Sequence, residues 1–423
     1  MPGLSNPDTR HPPRAAVHIL LHSVSKAVKS KTSPSTVAVH PALALAPDAS
    51  LPLGFAKALV AWQKKHGRHD LPWQKTLDAY PVWLSEVMLQ QTQVSTVKAY
   101  FNTFMAHFPS VEDLALAPID EVLSLWSGLG YYTRARNLHR CALEVTQKYG
   151  GVFPAELEAL KSLPGIGEST AAAIASLCFQ KRCAITDGNV RRVLARVLGF
   201  EGDMALGANV KWLSSVAQDL LPHQASSMPT YTQGIMDLGA TVCKPKNPLC
   251  EACPVDRMCV AKEKGRAQLI PFKSKKVKRR AQQLFWLIAQ NPQGEVLGRK
   301  RPEKGIWAGL YGFAEFDSEE ALLEATASWL NPPPADSTNT KPKAKDKDKD
   351  KDKDKEPLAQ TLKAPRPLGV VRHELTHLSL SIHPYHWRAP QGFVWPGHEW
   401  REPLAWAQVG LARPVEDLLR ALS

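Results

Sequence analysis

Leu163-Pro164-Gly165-Ile166-Gly167-Glu168-Ser169-Thr170 lies between two stretches of helical character, Ala155 to Lys161 before it and Thr170 to Phe179 after it. Two glycines around one apolar residue make the connection a tight turn, so the local order is helix, turn, helix. Gly165 and Gly167 let the backbone come close to a ligand. The N–H groups that open the second helix face outward, where an anion such as a DNA phosphate would complete their hydrogen bonding. An ordinary interhelical turn uses the same residues, so the octapeptide by itself leaves both readings open.

The same texture continues in both directions. Pattern begins near Leu51, where Phe55, Leu59, Val60 and Trp62 supply an apolar helical face, and helical periodicity recurs between short Pro/Gly breaks to about Ala261. Lys273-Ser274-Lys275-Lys276-Val277-Lys278-Arg279-Arg280 then packs six cations into eight residues and reads as part of an interdomain linker over 266–281. Beyond it, Gln283–Ala289 and Glu295–Arg299 read as strands around the turn Asn291-Pro292-Gln293-Gly294, and Leu378–Ile382 alternates with period two. The second domain, 282–423, is therefore mixed α/β. Within it, 331–356 runs from Pro-rich into alternating Lys-Asp and offers nothing to bury at either period, so a solvated, disordered insertion is expected. Residues 1–50 carry Arg10, Arg14, Lys26, Lys29 and Lys31 among Pro and Ser, and read as a basic disordered extension in preference to a transit peptide.

With 423 residues the chain exceeds one ordinary core and fits two domains. Its 53 Lys plus Arg against 40 Asp plus Glu leave a net charge of +13, which favours a polyanionic partner and salt-dependent binding. Ribosomal and merely soluble proteins share that balance, so motifs must decide. Of seven cysteines, four form Cys243-x6-Cys250-x2-Cys253-x5-Cys259, bent by Pro245, Pro248 and Pro254. An odd count with a local quartet indicates a metal site and a reducing, intracellular compartment, not a disulfide framework. Zinc ribbons pair two Cys-x2-Cys knuckles, and only one is present here, which puts an iron–sulfur cluster ahead of zinc. No apolar run is long enough to span a bilayer, so no membrane contact is expected.

Two acids flank the Gly-rich turn. Glu86 sits in Trp83-Leu84-Ser85-Glu86-Val87-Met88-Leu89, whose apolar side chains favour its protonated form if it faces them. Asp187, in Thr186-Asp187-Gly188-Asn189-Val190, stands at the start of a helix continued by Val193, Leu194 and Val197, whose dipole favours the carboxylate. Environments that push two acids apart suit acid–base chemistry. Taken singly, Asp187 reads first as a helix cap and Glu86 as a solvated surface acid.

Trp83 through Val94, including Gln90-Gln91-Thr92-Gln93, then Gly128-Leu129-Gly130-Tyr131-Tyr132, the Gly-rich turn, Asp187-Gly188-Asn189-Val190 and the cysteine array occur in this order. Together they resemble the MutY-type adenine DNA glycosylases, helix–hairpin–helix enzymes with an iron–sulfur cluster, over residues 51–423 apart from the Lys-Asp insertion. The resemblance implies a mainly α, two-lobed glycosylase domain over 51–265 with the active cleft between its lobes and a cluster loop over 243–259, followed by an α/β, Nudix-like domain. It implies that Glu86 is the general acid and water-activating base, that Asp187 faces the sugar, and that adenine is flipped out of the duplex. By the same resemblance Gln91 and Tyr131 wedge beside the oxidised guanine, while Arg68, Leu71 and Trp73 line the adenine pocket. Gln90, Ser169 and Gln233 also belong at the substrate, Gly165 and Gly167 on the DNA backbone, and Cys243, Cys250, Cys253 and Cys259 on one 4Fe-4S cluster.

Endonuclease III-like lyases resemble this domain but carry a lysine where this chain has Ser169, and a neutral hydroxyl cannot form a Schiff base. A monofunctional glycosylase is therefore expected. Gly298-Arg299-Lys300-Arg301-Pro302 and Gly305–Phe313 resemble the family's guanine-reading domain, without a Glu-rich hydrolase box. Where the family commonly has Phe-Ser-His, this chain has Leu375-Thr376-His377. Thr376 keeps a hydroxyl for the lesion, with His377 beside it. His373 and His377 lack a third ligand and are not read as a metal pair. The implied partner is double-stranded DNA with 8-oxoguanine:adenine or guanine:adenine mispairs, met by a monomer inside the cell, in the bacterial cytoplasm or nucleoid, or in the mitochondrion or nucleus of a eukaryote. A glycosylase-lyase for damaged pyrimidines and a noncatalytic DNA-binding module are the competing classes.

Overall fold

The computed structural model describes residues 51–274, 279–330 and 363–422. The expected extension over 1–50, the expected insertion over 331–356 and the middle of the expected linker lie outside the described residues.

The helical part opens with α1 (Phe55–His66), whose last turn, Lys64, Lys65 and His66, sits at the negative end of the helix dipole. Next come α2 (Ala79–Leu89), α3 (Val94–His107), α4 (Val111–Leu116), α5 (Ile119–Leu125), α6 (Thr133–Tyr149), α7 (Leu157–Ser162) and α8 (Glu168–Phe179). From α2 to α8 they share an apolar cluster that includes Trp83, Phe104, Trp126 and Leu138. The chain returns through α9 (Gly188–Val197), α10 (Gly207–Asp219), α11 (Met228–Asp237) and α12 (Val260–Glu263). These pack with α1 around Phe55, Leu59, Leu194 and Tyr231 in a second cluster, so the helical part has two lobes.

Helix α8 serves both lobes. Ala171, Ile174 and Ala175 join the first cluster, and Ala172 and Ala173 join the second. A helix buried all round must be apolar all round, and small side chains let a lobe close on each flank. Its entry is the Gly-rich turn. Gly165 has φ 76°, and a Cβ there would stand 2.8 Å from Cβ of Asn137 on α6. Glycine is thus required at Gly165 by backbone and packing, whereas a Cβ at Gly167 would meet open space. At Gly165 a close approach of α6 requires glycine in addition to any role at a ligand.

The second domain is a mixed sheet of β1 (Arg280–Gln290), β2 (Val296–Lys300), β3 (Tyr311–Gly312), β4 (Ala314–Phe316), β5 (Arg366–Pro367), β6 (Val371–Glu374), β7 (Leu378–Arg388) and β8 (Glu399–Arg401). Strands β1 and β7 run parallel over their whole length, from Arg280 opposite Leu378 to Gln290 opposite Arg388. The expected hairpin joins β1 to β2: Asn291 Oδ1 accepts from the N–H groups of Gln293 and Glu295, and Gly294 takes φ 87°. Helices α13 (Glu319–Leu330) and α14 (Arg413–Arg420) complete the domain.

The linker expected over 266–281 is largely structured. Ala267 and Ile270 are buried in the second lobe, Phe272 O accepts from Met204 N at 2.9 Å, and Ser274 N donates to Asp203 Oδ1 at 3.0 Å. The cation run obscured these anchors. Nor is the sheet a separate body, because Leu284, Trp286, Leu310, Trp406 and Leu411 continue the first lobe's cluster. Across that junction Tyr132 Oη donates to Leu411 O at 2.5 Å, Ser124 Oγ donates to Ala407 O at 2.9 Å and Lys300 pairs with Asp120 at 2.7 Å.

Candidate active site

Helix α2 delivers Glu86. Residues 79–85 are buried, so α2 is fixed as a core helix, and Glu86 is half-buried at the wall of a pocket of about 210 Å³. Arg68, Trp73, Gln74, Leu177 and Gln233 line the same pocket, which draws residues from both lobes. Burial, and secondarily the charge of Asp187, push the Glu86 carboxyl up to about 7 from its ordinary 4.5. Asp187 caps α9, its Oδ1 accepting from Val190 N at 2.7 Å. Its cap geometry and its proximity to Glu86 are therefore compatible. Just before it, Thr186 N donates to Ser169 Oγ at 3.3 Å, so Ser169 braces the segment that presents Asp187.

Two of the lining residues, Arg68 and Gln233, are held from behind the pocket by Asp237, which is fully buried. It accepts from Arg68 N at 2.9 Å and Arg68 Nε at 2.7 Å, and from Gln233 Nε2 at 2.8 Å. Arg68 and Gln233 are thereby oriented together. Trp73 meets Phe101 edge to face at 5.3 Å. Leu71, expected at the substrate, is 2 % exposed and packs in the first lobe's core. The short 3-10 turn Pro72–Gln74 sends Trp73 and Gln74 to the pocket and Leu71 inward.

A second depression of about 200 Å³ gathers Gln90, Gln91, Tyr131 and Gly165. Gln90 Nε2 donates to Thr170 Oγ1 at 3.4 Å. Gln91 and Tyr131 have φ 60° and 49°, and Tyr131 is 48 % exposed. Residues other than glycine occupy that region at a cost, and such strain concentrates at functional sites. The Tyr131 and Thr376 hydroxyls are 3.0 Å apart, so the helical part and the sheet meet at the two residues expected to handle the oxidised guanine. His377 is exposed, and its carbonyl accepts from Arg280 N. His373 is turned away against the Trp307 ring.

Cys243, Cys250, Cys253 and Cys259 line one cavity beside α9, with Val193, Arg196 and Ala267. Arg196 is 2 % exposed and sets Nη1 3.3 Å from Cys243 Sγ, while donating to the carbonyls of Ile270, Lys244 and Pro245. A buried cation against a ring of thiols fits a group whose sulfur ligands carry negative charge. Among the described residues, no three His, Cys, Asp or Glu side chains lie close enough to hold a single metal ion.

Asp237, Arg134 and Arg196 were not singled out from the sequence. Asp237 follows Gln233 by four residues, one helical turn, and Arg134 follows the Gly-Tyr-Tyr segment directly. For Asp237 the available signal was an acid inside a mostly apolar stretch, whereas Arg134 and Arg196 stand among other arginines and gave none.

The family of HhH-GPD superfamily base excision DNA repair proteins matches residues 84–299, and a NUDIX domain matches residues 285–421. Adenine DNA glycosylase of Buchnera aphidicola subsp. Acyrthosiphon pisum is 38% identical over 270 residues, covering 64% of this chain and 76% of that protein. Its Homo sapiens counterpart of the same name is 33% identical over 341 residues, covering 66% and 62%. A solved thermostable thymine-DNA glycosylase aligns with a TM-score of 0.45 and 30% identity, over 50% of this chain and 95% of that one.

Proposed function

We infer that this chain, which belongs to the HhH-GPD superfamily of base excision DNA repair proteins, is an adenine DNA glycosylase that hydrolyses the N-glycosidic bond of adenine in duplex DNA. The observation that carries the chemistry is Glu86, an acid whose carboxyl is pushed up to about 7 and so keeps a substantial protonated fraction at neutral pH, at the wall of a pocket between two lobes and close to a second carboxylate.

Adenine is a poor leaving group until it is protonated, and the sugar left behind is cationic. Glu86 gives its proton to the base, and Asp187 opposes the positive charge on the sugar. Glu86, now ionised, takes a proton from the water that attacks the sugar, which restores its starting state. Ser169 supports water as the nucleophile, because a neutral hydroxyl that accepts from Thr186 N offers no amine for a Schiff base. The pocket lies inside the protein, so the base enters it flipped out of the stack, with Arg68, Trp73 and Gln233 around it and Leu71 as backing. Gln90, Gln91 and Tyr131 fill the vacated space, and Gly167 with the first N–H groups of α8 holds a backbone phosphate.

The finer substrate is adenine opposite 8-oxoguanine or guanine, read by the Nudix-like domain through Thr376 and His377, and the acting unit is a monomer. The supporting contact is Tyr131 to Thr376, which joins the excising and the lesion-reading domains at one point. The cysteine quartet would hold one 4Fe-4S cluster through Cys243, Cys250, Cys253 and Cys259, with the buried Arg196 beside Cys243 Sγ offsetting the negative charge of the thiolates. That cluster would fix the loop after α11, and no step of the excision is assigned to it. The enzyme works where the cell keeps its DNA. Among the described residues, no helix is long and apolar enough to cross a membrane.

The test is strand scission on duplexes with adenine opposite oxidised guanine, with thymine glycol duplexes and an alkali-free control alongside. Cleavage of the adenine strand only after hot alkali is expected. Scission at thymine glycol without alkali would identify a lyase, and no cleavage at all would leave a binding module.

A further inference from the structure

Arg134, in the first turn of α6, is 9 % exposed. Its Nη1 donates to Val87 O at 3.0 Å, Met88 O at 2.8 Å and Gln90 O at 2.6 Å. Its Nη2 donates to Thr92 Oγ1 at 3.1 Å, Leu129 O at 3.1 Å and Gly130 O at 3.3 Å. The acceptors form two groups. Val87 to Thr92 are the end of the Glu86 helix and the loop that carries Gln91, while Leu129 and Gly130 precede Tyr131. Gln91 and Tyr131 are both left-handed, at φ 60° and 49°. Each such residue is strained and persists only where its surroundings over-determine it. The guanidinium also stands 5.2 Å from the Trp126 ring and 5.6 Å from the Tyr131 ring.

Among the described residues no carboxylate forms a salt bridge with Arg134; carbonyl dipoles, including those at the negative end of α2, face its charge. Burial lowers its pKa to about 10, which leaves it charged at neutral pH. A planar fork with two rows of donors can serve two opposed rows of acceptors, and an ammonium cannot.

We propose that Arg134 is the positioning residue that fixes Gln91 and Tyr131 relative to each other and to the end of the helix bearing Glu86, so that insertion into the duplex and base excision share one geometry. The inference rests on Gln91 and Tyr131 being the residues that enter the duplex. Arg134 itself touches neither base nor sugar.

The test uses the full chain and a duplex with 2-aminopurine next to the oxidised guanine, whose fluorescence rises when its stacking is broken. In an excision-dead Glu86→Gln background, Tyr131→Ala sets the benchmark, and Arg134→Lys is expected to lose most of the rise as well. With Glu86 restored, Arg134→Lys is expected to slow single-turnover excision by about 10- to 100-fold, the scale of an ångström-sized misplacement. Its pH midpoint stays where wild type has it. Loss of the rise in Tyr131→Ala with a full rise in Arg134→Lys overturns the Arg134 assignment alone. A full rise in Tyr131→Ala overturns the wedge reading beneath it. A shifted pH midpoint with a full rise shows that Arg134 acts on Glu86 instead, and also overturns the proposal. Should Arg134→Lys fail to fold, Thr92→Val removes one of the six acceptors together with the long bond from Thr92 Oγ1 to Gln90 O; a partial loss of rise and rate supports the assignment, and unchanged values overturn it.

Discussion

Glu86 is where a single residue joins stability to activity. Its carboxyl titrates at about 7 in the folded protein against an ordinary 4.5, so the folded state holds a proton that the unfolded chain releases earlier. The associated stability is fully present below about pH 4.5 and is lost as the pH rises through about 7. Glu86→Gln keeps the shape and removes the titration. It is expected to abolish adenine excision and to raise the melting temperature at pH 8, by up to roughly 3 kcal/mol of stability, with no gain at pH 4. Thermal melts at the two pH values decide it, and an equal difference at both would show that Glu86 is not a buried acid. The excision rate of the wild type should fall as the pH climbs past about 7, because the protonated form is the proton donor. A sequence reader sees Glu86 amid apolar residues and infers the direction of this shift. The charge of Asp187, from a distant part of the chain, adds the part that only folding supplies.

At the scale of elements, the hairpin and the cluster loop are the two pieces whose chemistry was most legible, and both are held by neighbours that were not. Gly165→Ala forces a side chain into a left-handed position and against Asn137, so a loss of about 1–3 kcal/mol is expected, together with weaker DNA binding and a shallower salt dependence. Titrating DNA binding at several salt concentrations would reveal it; an unchanged slope would mean the hairpin carries no phosphate. For the loop, purified protein is expected to contain about four irons and four acid-labile sulfides per chain, and Cys253→Ser to lose them. Zinc in place of iron would contradict the assignment. The cysteine variant should suffer in folding and DNA docking more than in chemistry, since the quartet packs beside α9 and the second lobe's core. Helix boundaries shift by a residue or two from the pattern. Leu71 and Trp73 were both expected at the pocket; both are buried in the first lobe, but beside the short 3-10 turn Pro72–Gln74 only Trp73 also lines the pocket, and apolar composition cannot tell them apart.

For the whole molecule, the decisive fact is that the sheet completes the first lobe's core, with Trp286, Leu310, Trp406 and Leu411 continuing the cluster of Leu123, Trp126 and Tyr132. A fragment ending at Ser274 would expose that junction. It is expected to aggregate or to melt below the full chain, whereas the full chain's first lobe and sheet should unfold in one calorimetric transition; two separate transitions would show that the interface is weak. The sequence alone determined the order helical part then mixed sheet, the tight turn between two helices and the thiol quartet, because each depends on local periodicity, turn chemistry or spacing along the chain, whereas Glu86 and Asp187 were singled out only by the ordered set of motifs that resembles the family. It did not determine that the chain is anchored to the second lobe as far as Ser274, that Asp237 orients Arg68 and Gln233, that Arg134 ties two loops together, or that Tyr131 reaches Thr376. Those depend on contacts between residues far apart in the chain, whose directions are fixed only when the lobes and the sheet close around shared cores.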